Sequence, residues 1–204
     1  NAGAQVHVCD IDTEALAQLK QLHPLLLTSV TNVAEPDEVA KMFVQLQQEF
    51  LGQLDFLVNN AGVSGPAGPL ESLDIDAWKA TFDVNLHATF YVCKHAIPLI
   101  KLKGGAIMNL SSTAGLYGYP MRSPYASAKW AIVGLSKTMA MELGPFNVRV
   151  NCICPGSVNG ARMDRVISSI AKATGESVEK VRQDNVQNTS MTTFVDAEDI
   201  ANMI

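Results

Sequence analysis

Ala106-Ile-Met-Asn-Leu-Ser-Ser112, followed thirteen residues later by Tyr125-Ala-Ser-Ala-Lys129, is the stretch that decides the fold. The first segment runs apolar almost without interruption and closes on two hydroxyls, as expected of a strand covered on both faces whose end is exposed to a ligand. The second places Tyr125 and Lys129 at i and i+4, on one face of a helix. Strand followed by helix, with polar groups gathered at the strand's end, is the local form of an open α/β sheet. Ligands of such sheets bind beyond the carboxyl ends of the strands.

Working outward, short branched apolar runs alternate with longer amphipathic ones. Strands are predicted near Gln5–Cys9, Leu25–Val30, Leu54–Asn59, Ala106–Leu110 and Val148–Ile153. Helices are predicted over Glu14–Leu22 and Pro36–Phe50, where Val39, Phe43, Leu46 and Phe50 repeat at helical spacing and Pro36 suits a first turn. Two longer helices are predicted, Ile75–Lys103 with a break near Asn85, and Tyr125–Leu143, with stops at Gly104–Gly105 and Gly144–Pro145. The alternation implies a doubly wound parallel sheet in one domain spanning 1–204. Residues 160–190 read as a mobile excursion over the sheet edge, polar and helical, with Val166, Ile167 and Ile170 as its apolar residues.

A net charge of −5 and a pI near 5.3, with no local run of lysine and arginine, exclude nucleic acid and anionic membranes as expected partners. The most apolar stretch, Ala88 to Leu102, contains Lys94, His95 and Pro98 and cannot cross a bilayer. Cys9, Cys93, Cys152 and Cys154 lack the spacing of a disulfide scaffold and read as reduced thiols, with Cys152 and Cys154 on one face of a strand; no metal is expected, and a cytoplasmic location is. His87 and His95 lie eight apart with no third ligand, which argues against a metal-dependent hydrolase.

A lysine ammonium beside a phenol favours the phenolate, so Tyr125 with Lys129 can form an acid/base pair. Alone, the spacing also suits a half-buried tyrosine beside a solvated lysine. Ser112, at the end of the neighbouring strand, could reach the same reacting oxygen. Asp10, at the end of the first predicted strand, can accept hydrogen bonds from ribose hydroxyls, or else cap the next helix, for which Asp12 is better placed.

Asn59-Asn-Ala-Gly62, Asp83-Val-Asn85, Asn109-Leu-Ser-Ser112, Tyr125-Ala-Ser-Ala-Lys129 and Pro155-Gly156 occur in the order found in the classical short-chain dehydrogenase/reductases, and the chain resembles that family along essentially its whole length. The resemblance implies a Rossmann-like fold and hydride transfer between a nicotinamide cofactor and an alcohol or ketone. It implies Tyr125 as general acid/base, Lys129 as the group that lowers its pKa and holds the nicotinamide ribose, Ser112 as hydrogen-bond partner of the substrate oxygen, and Asn85 as anchor of a proton-relaying water. Asn60, Ala61, Gly62, Pro155, Gly156 and Val158 would line the cofactor, Val30 would pack on adenine, and Asn59 would brace the sheet. Asp10 would repel a 2′-phosphate, so NAD is expected rather than NADP. Assembly into a homodimer or homotetramer through the two long helices is also implied. A non-catalytic chain of the same fold, serving as a binding or regulatory partner, is the alternative.

The chain departs from the pattern at four places. The opening strand with its glycine-rich turn and the last strand are absent, Asn1-Ala-Gly-Ala corresponding to the end of the helix after that turn. The absent opening strand would lie between the strand ending at Asp10 and that ending at Asn59. Ser29 stands where the family has an aspartate near adenine, and Gly160 where it has a threonine near the carboxamide.

Overall fold

A computed structural model describes residues 3–187 and 189–204. The helix end expected at Asn1-Ala2, and Asn188 of the expected excursion, lie outside the described residues.

Strand β1 (His7–Asp10) leads through helix α1 (Thr13–Leu22) to β2 (Leu27–Val30), and α2 (Pro36–Glu49) leads to β3 (Phe56–Asn59). The predicted strands there are trimmed by a few residues at their amino ends. Asp12 caps α1 by accepting the Ala15 N–H at 2.9 Å, the assignment the sequence favoured for it. Helix α2 begins on Pro36 and buries Val39, Met42, Phe43 and Leu46, the stripe its spacing predicts.

Helix α3 (Ile75–Phe82) and α4 (Ala88–Ile100) are joined without interruption by a π turn over Asp83–His87. The predicted break near Asn85 is thus a widened turn: the Ala88 N–H reaches back five residues to the Asp83 carbonyl. Strand β4 (Gly105–Leu110) and α5 (Ser123–Leu143) follow, then β5 (Val148–Ile153). Gly104 and Gly105 open β4 where the chain runs tight. A Cβ at Gly105 would stand 2.2 Å from the Asp55 carbonyl oxygen.

All strand pairs are parallel, in two ladders. In one, β1 pairs with β2, ending on Asp10 beside Val30; in the other, β4 pairs with both β3 and β5. No pairing joins β1 to β3 among the described residues, and that is the position at which the resemblance places a further strand. Phe56 and Val58 of β3 are correspondingly 40% and 37% exposed. The core lies where α2, α4 and α5 meet β4 and β5, around Ile100, Ile107, Met139 and Val150. At ~25 cal/mol per Å² of buried apolar surface, this cluster is the chief stabilising term.

The excursion after β5 is more ordered than its polar sequence suggests. Helices α6 (Ala161–Thr174) and α7 (Val178–Asp184) pack on each other through a small core of Ile167, Ala171 and Val181, flanked by Met163, Ile170 and Phe194. Apolar residues at 167, 171 and 181 lie on two separate helices, so the pattern is visible only once the hairpin is closed. A short helix, α8 (Ala197–Ala201), ends the described chain.

Candidate active site

The carboxyl ends of β3, β4 and β5 open into a cavity of about 1060 Å³, roofed by α6, α7 and α8. Ser112, Tyr125 and Lys129 all lie on its wall, with Asn60, Pro155 and Gly156. Of the residues expected from sequence, these six share one cavity wall, while Asn85, Ala61 and Gly62 are not part of it.

Two adjacent serines end β4 and are put to different uses. Ser111 is 5% exposed and donates to the Lys129 carbonyl oxygen at 2.7 Å, against Gly115. Its hydroxyl is committed to holding α5 against the strand. Ser112 caps the single turn Thr113–Gly115 by accepting the Ala114 N–H at 3.2 Å, which leaves its own O–H proton without a protein acceptor among the described residues. The free hydroxyl on the cavity wall is the one at 112.

Tyr125 sits one turn into α5, half-buried, its hydroxyl without a protein partner among the described residues. Lys129, one turn further on, is 4% exposed. Its Nζ donates to the Leu110 carbonyl oxygen at 2.8 Å and lies 5.8 Å from the centre of the Tyr125 ring. Burial, and then the nearby guanidinium of Arg162, push the lysine down from its usual 10.5 to about 8. The ammonium is thus anchored at the strand end, close to the phenol ring but bonded to the backbone.

Asn85, 1% exposed inside the π turn, clamps the loop after β3. Its carboxamide nitrogen donates to the Val63 and Thr81 carbonyls at 3.0 and 2.8 Å, and its oxygen accepts the Val63 N–H at 3.2 Å. Gly62 leaves room for this: a Cβ there would lie 2.8 Å from Asn85 Oδ1 and 3.6 Å from Lys129 Nζ. The widened turn, Gly62 and Lys129 are therefore one packed unit.

Asn59, beneath the site, donates to Asn109 Oδ1 at 2.8 Å, and Asn109 donates in turn to Ser136 Oγ at 2.8 Å. This buried chain ties β3, β4 and α5 together. Val158 lines the cavity beyond Gly156. Ala61 is exposed, next to Gly62. Asp10 and Val30 do not reach the cavity; they stand side by side at the carboxyl end of the other ladder, exposed, with one Asp10 oxygen accepting the Asp12 N–H at 3.0 Å. His87 bonds Asp83 and His95 stacks on Phe43, and no group of three or more potential metal ligands occurs among the described residues.

Among the cavity-wall residues that sequence reasoning missed are two arginines. Arg122 is 2% exposed and lies between Tyr119 and Tyr125, its carbon Cζ 5.7 and 5.2 Å from the two ring centres. Arg162, in the first turn of α6, comes within about 3.8 Å of the space above Gly62. Arg122 stands three residues before Tyr125, a helix-face spacing that could have drawn attention to it; nothing local marks Arg162.

Compared with known proteins, the chain matches the short chain dehydrogenase family over residues 1–171. Trans-4-hydroxycyclohexanecarboxylate dehydrogenase of Sinomonas cyclohexanicum is 50% identical over 110 residues, 54% of this chain and 42% of that protein. The chain spans about half the length of the curated relatives it matches. Among solved structures, NAD+-bound xylitol dehydrogenase superposes with a TM-score of 0.92 at 27% identity, covering 99% of this chain and 81% of that one. Actinorhodin polyketide ketoreductase with NADPH superposes at 0.90 and 26% identity, covering 99% and 79%. With the parallel α/β architecture and a family match over most of its length, the chain belongs to the short-chain dehydrogenase family.

Proposed function

We propose that this chain is the core of an NAD(H)-dependent oxidoreductase that interconverts an alcohol and a ketone on a small organic substrate. The observation that carries the reading is the meeting of Ser112, Tyr125 and Lys129 on one cavity wall, with the neighbouring Ser111 hydroxyl committed elsewhere.

The residues fit a dinucleotide. Asn60, Pro155, Gly156 and Val158 line one side of the cavity, Gly62 keeps the loop after β3 low, and Ala61 lies beside it. Asp10, with Val30 at its side for the adenine, offers an oxygen to ribose hydroxyls and a negative charge against a 2′-phosphate, which favours NAD over NADP. Solved neighbours are found with either cofactor. Bound there, the nicotinamide supplies the acceptor or donor of the two electrons.

The chain's own residues handle the proton. In oxidation, the Ser112 O–H points its free proton at the substrate oxygen and holds it, while the Tyr125 oxygen takes the hydroxyl proton; in reduction, Tyr125 returns it. Lys129, held by the Leu110 carbonyl with its Nζ 5.8 Å from the centre of the Tyr125 ring, places a positive charge on the same side of the cavity. The main-chain carbonyl of Asn85, in the π turn, would anchor a water on the exit path of the proton. The roof of α6 and α7 selects the substrate.

The outer faces of α4 and α5 leave Phe90 and Trp130 each 52% exposed, which supports a homodimer or homotetramer built on these helices. No described helix is long and apolar enough to cross a membrane, and the four cysteines are unpaired, as a cytoplasmic protein's would be.

The test is Tyr125→Phe in the full gene product, followed by nicotinamide absorbance with a panel of secondary alcohols and ketones. The expected loss in kcat is ~100-fold to ~10,000-fold with folding intact. Equal rates for wild type and variant, or no reaction with either, would sink the catalytic reading and favour the binding-partner alternative.

A further inference from the structure

Arg122 is a buried guanidinium held by one hydrogen bond among the described residues. Its Nη2 donates to the Ser64 carbonyl oxygen at 2.5 Å, while Nε is shielded from solvent and has no hydrogen-bond partner among those residues. It joins no ion pair among the described residues. The Tyr119 and Tyr125 rings flank the guanidinium, and the Tyr119 hydroxyl is spent on Asn185 Oδ1 at 3.1 Å. Burial depresses the basicity of Arg122, Tyr119 and Tyr125 work against this, and the guanidinium of Arg162 adds a little to the depression. A guanidinium so deeply buried and unpaired is costly unless an anion completes it.

We infer that the cavity takes an alcohol or ketone that itself carries a carboxylate, and that Arg122 holds that carboxylate while Tyr125 and Ser112 hold the reacting oxygen. The inference rests on the oxidoreductase reading of the same cavity and deepens it by naming a substrate class. Two observations choose a carboxylate. Arg122 lines the cavity wall with its Nε left without a hydrogen-bond partner among the described residues, and a planar fork of N–H groups matches a planar pair of carboxylate oxygens. Arg122, the residue just before α5, also stands 5.2 Å from the Tyr125 ring, so acid and carbinol must lie within one small ring or short chain of each other.

The experiment uses the full gene product with NADH bound. Cyclohexanecarboxylate and its methyl ester are titrated calorimetrically into wild type, Arg122→Gln, Arg122→Lys and Arg162→Gln, and NADH affinity is measured for each. The expected result is that wild type binds the acid at least tenfold more tightly than the ester. Arg122→Gln removes that preference, Arg122→Lys restores part of it, and NADH affinity changes little in the Arg122 variants. Equal binding of acid and ester by wild type overturns the inference without needing any variant to fold, and so does a loss in Arg122→Gln that falls on NADH instead. Turnover of 4-hydroxycyclohexanecarboxylate and of its methyl ester separates the two readings. Equal turnover removes the carboxylate subsite and leaves the oxidoreductase standing. Acid-selective binding with no turnover of either removes the oxidoreductase and leaves the subsite.

Discussion

Replacing Lys129 by methionine tests the electrostatics of the site through stability alone. The lysine is 4% exposed, and its ammonium is held mainly by one backbone carbonyl. In the unfolded chain it titrates near the usual 10.5; in the folded chain it titrates at about 8. Below pH 8 the lysine is charged in both states and folding bears the full burial cost. Between pH 8 and 10.5 the unfolded chain holds a proton that the folded chain has released, so stability rises with pH. Above 10.5 the gain is complete. The distance from 10.5 to about 8, at ~1.4 kcal/mol per pH unit, comes to about 3 kcal/mol. Cys9, Cys93 and Cys152 work the other way, because burial raises their thiols and the unfolded chain ionises first as pH increases. The difference between wild type and Lys129→Met cancels the contributions of Cys9 and Cys93, while Cys152 lies close enough to interact with the lysine itself and adds a smaller change. Urea denaturation of both proteins at pH 7, 8, 9 and 10 is therefore expected to show wild type gaining on the variant by ~2 kcal/mol across the series, most of it above pH 8. A difference that stays flat from pH 7 to 10 would refute the claim that burial holds this lysine low.

Two further outcomes are expected. Asn109→Ala cuts both links of the Asn59–Asn109–Ser136 chain at a fully buried position and should cost ~3 kcal/mol in chemical denaturation; a loss under ~1 kcal/mol would mean that the chain does not brace the sheet. Asp10→Ser removes the exposed carboxylate at the end of β1 and should move the ratio of NADH to NADPH affinity at least tenfold toward NADPH, read by fluorescence titration; an unmoved ratio would take Asp10 out of cofactor choice.

Most of this architecture could be read from the chain because its strands carry branched apolar residues at a strand's spacing. The run at 106–110 is apolar and buried on both faces, 148–153 alternates apolar with polar residues, and both strands lie within a residue of where they were expected. Asp12 and Pro36 marked helix starts by local chemistry alone. The gathering of Ser112, Tyr125 and Lys129 was legible because two fall on one helix face and the third on the end of an adjoining strand. What escaped was set by residues far apart in sequence. Arg122 is buried because a loop 58 residues earlier presents the Ser64 carbonyl to it. The Lys129 ammonium was expected to act directly on the phenol, and its bond to Leu110 depends on how α5 docks against β4. The roof looked loose because each of its helices has too few apolar residues to bury anything alone.

The π turn between α3 and α4 ties chain length to rotational phase. One residue more than an α turn advances everything after it by about 100°. Delete a residue between Phe82 and Ala88, and the turn tightens while Val92, Cys93, Ala96 and Ile100 swing away from the sheet they cover. The same deletion would withdraw Asn85 from Gly62 and Val63. An insertion or deletion in that segment would therefore turn a helix away from the core and a clamp away from the candidate active site in a single step.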